Sequence, residues 1–264
     1  MGVLFGSILS LGGLCLALAV LLALANKRLA VEEDPRVEKV FAALPGVNCG
    51  GCGFPGCHAF AEHIVAGDAP LNGCAPGGHA AAEQIAAVMG VTVEKKERRV
   101  AVVLCNGGLK ETAQSATYYG VQGCRAATLV AGGGKQCQYG CLGFGDCVTV
   151  CAFDAIVIND NGLPVVDRVK CTACGKCVDA CPRKLIELHA ESHRMFVFCK
   201  SQDKGAMVKK ACSVGCIGCG LCAKNSPVEH GIVMGGNLPI INHDLCPPSE
   251  TVAQKCPTKT IRII

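Results

Sequence analysis

Residues 171–182 read Cys-Thr-Ala-Cys-Gly-Lys-Cys-Val-Asp-Ala-Cys-Pro, a C-x2-C-x2-C-x3-C-P run. This is the bacterial ferredoxin signature, in which three thiolates hold one [4Fe–4S] cluster and the fourth reaches a neighbouring cluster. A tetrahedral zinc site uses pairs of C-x2-C separated by a longer spacer, so four cysteines this close fit iron–sulfur ligation better. The run therefore predicts a small module of two short helices and short antiparallel strands around its clusters.

The chain has 264 residues, room for two or three small domains but not one large enzyme core. Its 22 cysteines lie at tight spacings among clustered glycines, which favours metal ligands in a reducing compartment over disulfides. With no tryptophan and 4% aromatics, the chain lacks the stacking platforms of single-strand nucleic-acid binders. The formal charge of +4 counts thiols as neutral. Each thiolate-held cluster carries about −2, so four would bring the loaded chain to roughly −4. Basicity is thus no argument for a nucleic-acid partner.

Residues 3–25 are uncharged and almost wholly apolar, long enough as a helix to cross a hydrocarbon core of about 30 Å. They predict a transmembrane anchor over 1–28. Lys27 and Arg28 follow at once, which places the downstream chain on the cytoplasmic side of the inner (cytoplasmic) membrane as a single-pass protein. Ala23-Leu24-Ala25 resembles a signal-peptide cleavage site, but a basic n-region is missing and the apolar run is too long. Cys15, inside the span, reads as a small packing residue.

A small [4Fe–4S] domain is expected over 29–93. Asp34-Pro35 opens a helix to about Leu44, and a second helix covers Gly78 to Met89. Between them Cys49, Cys52, Cys57 and Cys74 form one four-thiol set in glycine-rich loops, whose backbone can turn around an inorganic core and present N–H groups to sulfur. Residues 94–123 read as a linker and strand region: a mixed charge run from Glu94 to Arg99, then a buried-strand pattern from Val100 to Leu104 ending at Cys105. Gly132-Gly133-Gly134-Lys135 resembles part of a phosphate loop but lacks its full spacing, and reads as a turn.

An internal repeat changes the cysteine arithmetic. An offset of 75 residues carries Cys124, Cys137, Cys141, Cys147, Cys181 and Pro182 onto Cys199, Cys212, Cys216, Cys222, Cys256 and Pro257 without insertion. The chain thus reads as α+β, with tandem ferredoxin-like modules over 124–198 and 199–264. In the first module Cys171, Cys174, Cys177 and the crossing Cys151 complete one set. The other set has Cys141, Cys147 and Cys181, with Phe144 where a ligand would stand and Cys137 as the nearest fourth. In the second module Cys216, Cys219, Cys222 and Cys256 make a full set. Its partner positions hold Ser226, Cys246, Ser249 and Val252, so that site is expected to be empty. Four clusters are expected. Cys105, Cys124, Cys199 and Cys212 could ligate a fifth, or Cys124 and Cys199 could be inherited from the duplication and pack as small apolar residues.

The apolar helix, the Cys49–Cys57 stretch Cys-Gly-Gly-Cys-Gly-Phe-Pro-Gly-Cys and the Cys171–Cys177 stretch Cys-Thr-Ala-Cys-Gly-Lys-Cys together resemble the B subunit of the Rnf electron-transport complex, in a long form with a duplicated ferredoxin module. The resemblance implies an electron-relay subunit of an ion-translocating ferredoxin:NAD+ oxidoreductase, coupled to Na+ or H+. It also implies partners in the other complex subunits and in reduced ferredoxin or flavodoxin. Lys176, Arg183 and Lys184 could attract such an acidic donor or be ordinary solvated cations. No Rossmann fingerprint, triad or flavin site is present, so no catalytic residue is expected. Two rival classes are an iron–sulfur subunit of a corrinoid or carbon monoxide dehydrogenase type and a redox sensor. The anchor argues against the first, and the number of cluster sites, with no DNA-reading motif, argues against the second.

Overall fold

The computed structural model describes residues 2–29 and 34–264. Met1 and residues 30–33, at the expected junction of the anchor and the small domain, lie outside the described residues.

Helix α1 (Gly2–Leu29) carries apolar side chains on every side, with Phe5, Leu9, Leu16 and Leu22 all exposed. A helix apolar all round and packed against nothing is stable in lipid rather than in water. Among the described residues it is the one helix long and apolar enough to cross a membrane, and it fits a membrane anchor.

Helix α2 (Pro35–Ala43) starts where the Asp34 carboxylate accepts a hydrogen bond from Arg36 N–H and Pro35 occupies the first turn. It packs on α3 (Cys57–Ala66) and α4 (Gly78–Met89). Val37, Val40, Leu44, Phe60, Ala61, Ile64 and Ile85 form the common core, with Cys52, Cys57 and Cys74 at its edge. Both helices expected here form, α4 with the expected bounds.

Strand β1 (Arg99–Val103) follows, four of its five residues buried. Next come α5 (Cys124–Leu129), α6 (Asp146–Thr149), β2 (Ile156–Ile158), β3 (Pro164–Val166), α7 (Lys176–Ala180) and β4 (Ile186–Ala190). β2 and β3 make an antiparallel hairpin. β4 pairs antiparallel with β1, Val103 opposite Ile186, so the strand expected in the linker region completes a sheet with the segment after Cys181. The reason is apolar area: Val100, Ala101 and Val103 bury against Ile186, Cys171 and Cys177.

The chain then repeats the pattern in part. β5 (Met195–Val197), α8 (Gly205–Ala211), α9 (Leu221–Lys224), β6 (Ile232–Gly235), β7 (Leu238–Ile241), α10 (Glu250–Lys255) and β8 (Ile261–Ile263) follow in order. β6 pairs with β7 and β5 with β8, both antiparallel. α9 lies 75 residues after α6 at both ends. The segments ahead of them diverge: α5 begins on Cys124, whereas its counterpart Cys199 lies outside any helix or strand and α8 starts only at Gly205.

At the degenerate positions the space is filled by side chains. Val252 is completely buried among Met195, Cys222, Ile232, Cys246 and Ile261. The Ser249 hydroxyl caps α10 by accepting from Val252 N–H, and Ser226 Oγ donates to Val228 O. Cys246 is buried, with no second thiol among the groups that perturb it.

Candidate iron–sulfur centres

The structure gathers twenty cysteines into five groups of four, and all 22 thiols are free. In the small domain Cys49 and Cys52 lie in the loop before α3, Cys57 opens α3, and Cys74 precedes α4. Asn48 fixes the loop by accepting from Cys57 N–H at 2.8 Å. Burial raises the Cys74 pKa, and the charges of Cys57, Cys52 and Cys49 raise it further, which places the four thiols within electrostatic reach.

A second group, Cys151, Cys171, Cys174 and Cys177, lines one cavity. Burial and the neighbouring Cys171 and Cys174 push Cys177 up to about 12. A third cavity is lined by Cys216, Cys219, Cys222 and Cys256. These sets match the spacing argument.

The remaining eight cysteines fall differently from the sequence expectation. Cys141, Cys147 and Cys181 share a cavity with Cys124, not with Cys137. Burial, then Cys124 and Cys181, push Cys147 up to about 11. Cys137 instead lines a separate cavity with Cys105, Cys199 and Cys212, and burial, then Cys105, Cys137 and Cys199, push Cys212 up to about 11. The two cysteines thus exchange groups.

The physical cause is α5. The Asp146 carboxylate, at the start of α6 beside Cys147, accepts from Cys124 N–H at 2.8 Å and from Arg125 N–H at 3.0 Å. It binds the otherwise unpartnered N–H groups at the helix start and thereby brings Cys124 to Cys147. Phe144, where the repeat has Cys219, packs edge-on against Tyr118. Cys137 is held away by Arg183, whose guanidinium donates to Cys137 O, Gly140 O and Gly132 O at 2.8, 3.0 and 2.6 Å. Arg183 is therefore an internal brace rather than a free cation for a docking partner.

These groups fit [4Fe–4S] ligation on their own chemistry. Four thiols held together in burial resist ionisation, and a compact polycation is what makes a four-thiolate arrangement favourable. The loops also present backbone N–H groups to sulfur: Ala155 N to Cys151, Leu185 N to Cys181, Cys141 N to Cys105, Thr260 N to Cys256 and Ala101 N to Cys171, all at 3.3–3.4 Å. Such bonds stabilise anionic sulfur. Lys135 is 4% exposed, donates to Gly107 O at 3.1 Å, and its charge acts on Cys105 and Cys141. A buried ammonium requires a compensating anion. Thiolate-held clusters on either side would supply it.

The five groups also abut in sequence. A Cβ built on Gly51, between Cys49 and Cys52, would lie 2.8 Å from Cys174 O, so the small-domain loop rests directly on the Cys174 loop. Cys177 and Cys147 sit on α7 and α6, which pack together, and the Cys147 charge acts on Cys177. Cys141 N–H donates to Cys105 Sγ at 3.3 Å, and Cys216 N–H faces the Cys199 thiol.

Comparison with known proteins agrees with this chemistry. Residues 44–76 match a family model described as an Fe-S cluster, and residues 135–186 match one described as a 4Fe-4S dicluster domain. The chain is 40% identical over 261 residues to the B subunit of the ion-translocating oxidoreductase complex of Methanosarcina acetivorans, covering 99% of this chain and 98% of that one. It is 44% identical over 251 residues to the B subunit of the Na(+)-translocating ferredoxin:NAD(+) oxidoreductase complex of Acetobacterium woodii, with 95% and 75% coverage. It is also 44% identical over 252 residues to the B subunit of the proton-translocating ferredoxin:NAD(+) oxidoreductase complex of Clostridium ljungdahlii, with 94% and 88% coverage.

Proposed function

Because the chain belongs to the family of B subunits of ion-translocating oxidoreductase complexes, and is an iron–sulfur electron-relay subunit, we propose that it holds five [4Fe–4S] sites in one row. The row runs from the small-domain thiols to the groups of Cys174, Cys147, Cys105 and Cys219 in turn. One observation carries the reading: each four-thiol group touches the next through a named contact, Gly51 to Cys174, α7 to α6, Cys141 to Cys105, and Cys216 to Cys199.

The clusters, when bound, supply one-electron chemistry. The chain's residues position them and tune them. Cys105 and Cys137 come from the first half of the soluble chain, Cys199 and Cys212 from the second, so the fifth site joins two tandem ferredoxin-like modules. The matching positions of α6 and α9, and of the β2–β3 and β6–β7 hairpins, support that duplication. The donor is reduced ferredoxin or flavodoxin. The acceptors are the other subunits of a complex that reduces NAD+ and moves Na+ or H+. α1 anchors the row to the inner membrane, and Lys27 and Arg28 at its end set the soluble part on the cytoplasmic side.

Iron and sulfide analysis of the anaerobically purified chain tests the count. Five sites give about 20 iron and about 20 sulfide per chain. A value near 16 removes the site of Cys105, Cys137, Cys199 and Cys212, and fewer than about 12 sinks the row.

Lys135 gives a second test. Removing its buried charge as Lys135→Met lowers the midpoint potential of the adjoining site by roughly 100 mV, the Coulomb contribution of one charge several ångströms away at an effective dielectric constant near 20. An EPR-monitored redox titration reads the shift. Unchanged potentials would assign Lys135 to packing alone.

A further inference from the structure

Three histidines outside the cysteine groups converge where the two halves of the soluble chain meet. His189 is on β4, His193 is in the turn after it, and His243 follows β7 fifty residues on. One ring nitrogen from each lies within 4.8 Å of the others. The His193 and His243 rings stack at 4.4 Å and 11°, and His189 meets His243 edge-on at 5.2 Å. All three are partly buried, and His193 Nδ1 is buried with no hydrogen-bond partner. A buried ring nitrogen without a partner is costly, and the neighbouring nitrogens of His189 and His243 place that of His193 where one cation could serve all three.

The surroundings complete a ligand shell. Glu187 Oε2 lies 3.2 Å from His189 Nε2, which leaves His189 Nδ1 for the shared site, and Lys200 pairs with the other Glu187 oxygen. A carboxylate on the far nitrogen of a ligating imidazole orients the ring and raises its basicity. Phe196 walls the site, its ring 4.8 Å from His189 and 5.0 Å from His243. His189, His243 and Glu187 also line a cleft of about 300 Å3, which gives an ion an entry path and leaves one side open.

We propose that His189, His193 and His243 form a binding site for a first-row divalent cation of the zinc class, which clamps β4 to the turn after β7. Three imidazoles and an open fourth position suit Zn2+ at nitrogen distances of about 2.0–2.1 Å, whereas Mg2+ and Ca2+ prefer oxygen. Ligands in a tetrahedral site of that size stand about 3.3 Å apart and their lone pairs lie in the ring planes, so binding turns His193 or His243 out of the present stack as it closes the spacing. The site takes no thiol as a ligand and transfers no electrons, although Cys199 lines the same cleft. Its role is mechanical: β4 pairs with β1, which leads into Cys105, and His243 belongs to the half that supplies Cys199 and Cys212. The cation therefore braces the joint across which the fifth four-thiol group is assembled.

The test uses the full-length, cluster-loaded chain in detergent, with Zn2+ as the probe. The expected result is about one zinc per chain with iron content unchanged, and a zinc X-ray absorption spectrum showing only nitrogen or oxygen neighbours near 2.0–2.1 Å. His243→Ala lowers zinc affinity at least tenfold, and Glu187→Gln lowers it about 10- to 100-fold. No zinc uptake overturns the proposal. So does a zinc–sulfur shell near 2.3 Å in the wild type, which places the metal on thiols and needs no variant to read. Equal affinity in wild type, His193→Ala and His243→Ala overturns it as well.

Discussion

Cys124→Ala removes about four iron atoms per chain from the group of Cys141, Cys147 and Cys181, and electron delivery through the chain falls to background. Cys137→Ala removes a similar amount from the group of Cys105, Cys199 and Cys212 and leaves the first group intact. The separate outcomes follow from geometry: Cys124 starts α5 against Asp146 and lines the cavity of Cys147, while Cys137 is fixed by Arg183 and lines the cavity of Cys105. A [4Fe–4S] site with three thiolates in place of four loses iron readily, so iron content and the EPR signals of the reduced protein both report which group was hit. Asp146→Ala should mimic Cys124→Ala in part, because the thiol remains but its helix start loses the acceptor that positions it. Should Cys137→Ala instead abolish the signal of the Cys147 site while Cys124→Ala spares it, the spacing argument is right and the structural grouping wrong.

That contrast shows what could be read from the chain and what could not. Cys151, Cys171, Cys174 and Cys177, and likewise Cys216, Cys219, Cys222 and Cys256, were legible because their groups are set by short spacings around one turn and one crossing. The degenerate positions follow from the same spacing: Ser226, Ser249 and Val252 stand where thiolates would, and the core closes over Val252. Cys124 was not legible, since the 75-residue offset equates it with Cys199, and only the helix formed in one copy and not in the other sends the two to different groups. β1 shows a similar limit. Its buried-strand pattern was plain from Val100 to Leu104, but nothing local says that it pairs with β4 some 85 residues later. Arg183 read as a docking or solvated cation and Lys135 as part of a turn, and their burial against carbonyls and thiols is a tertiary fact. His189, His193 and His243 left no signal beyond a four-residue spacing for two of them.

The contact between the small domain and the rest of the row yields the other large effect. Gly51→Val should leave about 20 iron per chain yet slow electron passage from the small domain to the Cys174 group severalfold, because electron tunnelling falls exponentially as the two groups separate. At Gly51 a Cβ would stand 2.8 Å from Cys174 O and 3.1 Å from Cys174 Cβ. Neither atom belongs to a flexible side-chain end, and the Cys174 loop is tied at Cys171 by Ala101 N–H, so the small-domain loop has to retreat. Gly51→Ala should give a smaller slowing, because one methyl needs less retreat than an isopropyl group. Cys57 and Cys177 stay on α3 and α7, and Cys49 and Cys52 move with the same loop as Gly51, which is why iron content should hold while the rate falls. Stopped-flow reduction by a ferredoxin, followed at the small-domain signal and then at the others, separates entry from onward passage. Onward passage at the wild-type rate in Gly51→Val, with all iron in place, would mean that the working protein does not use this contact and that the small domain delivers elsewhere along the row.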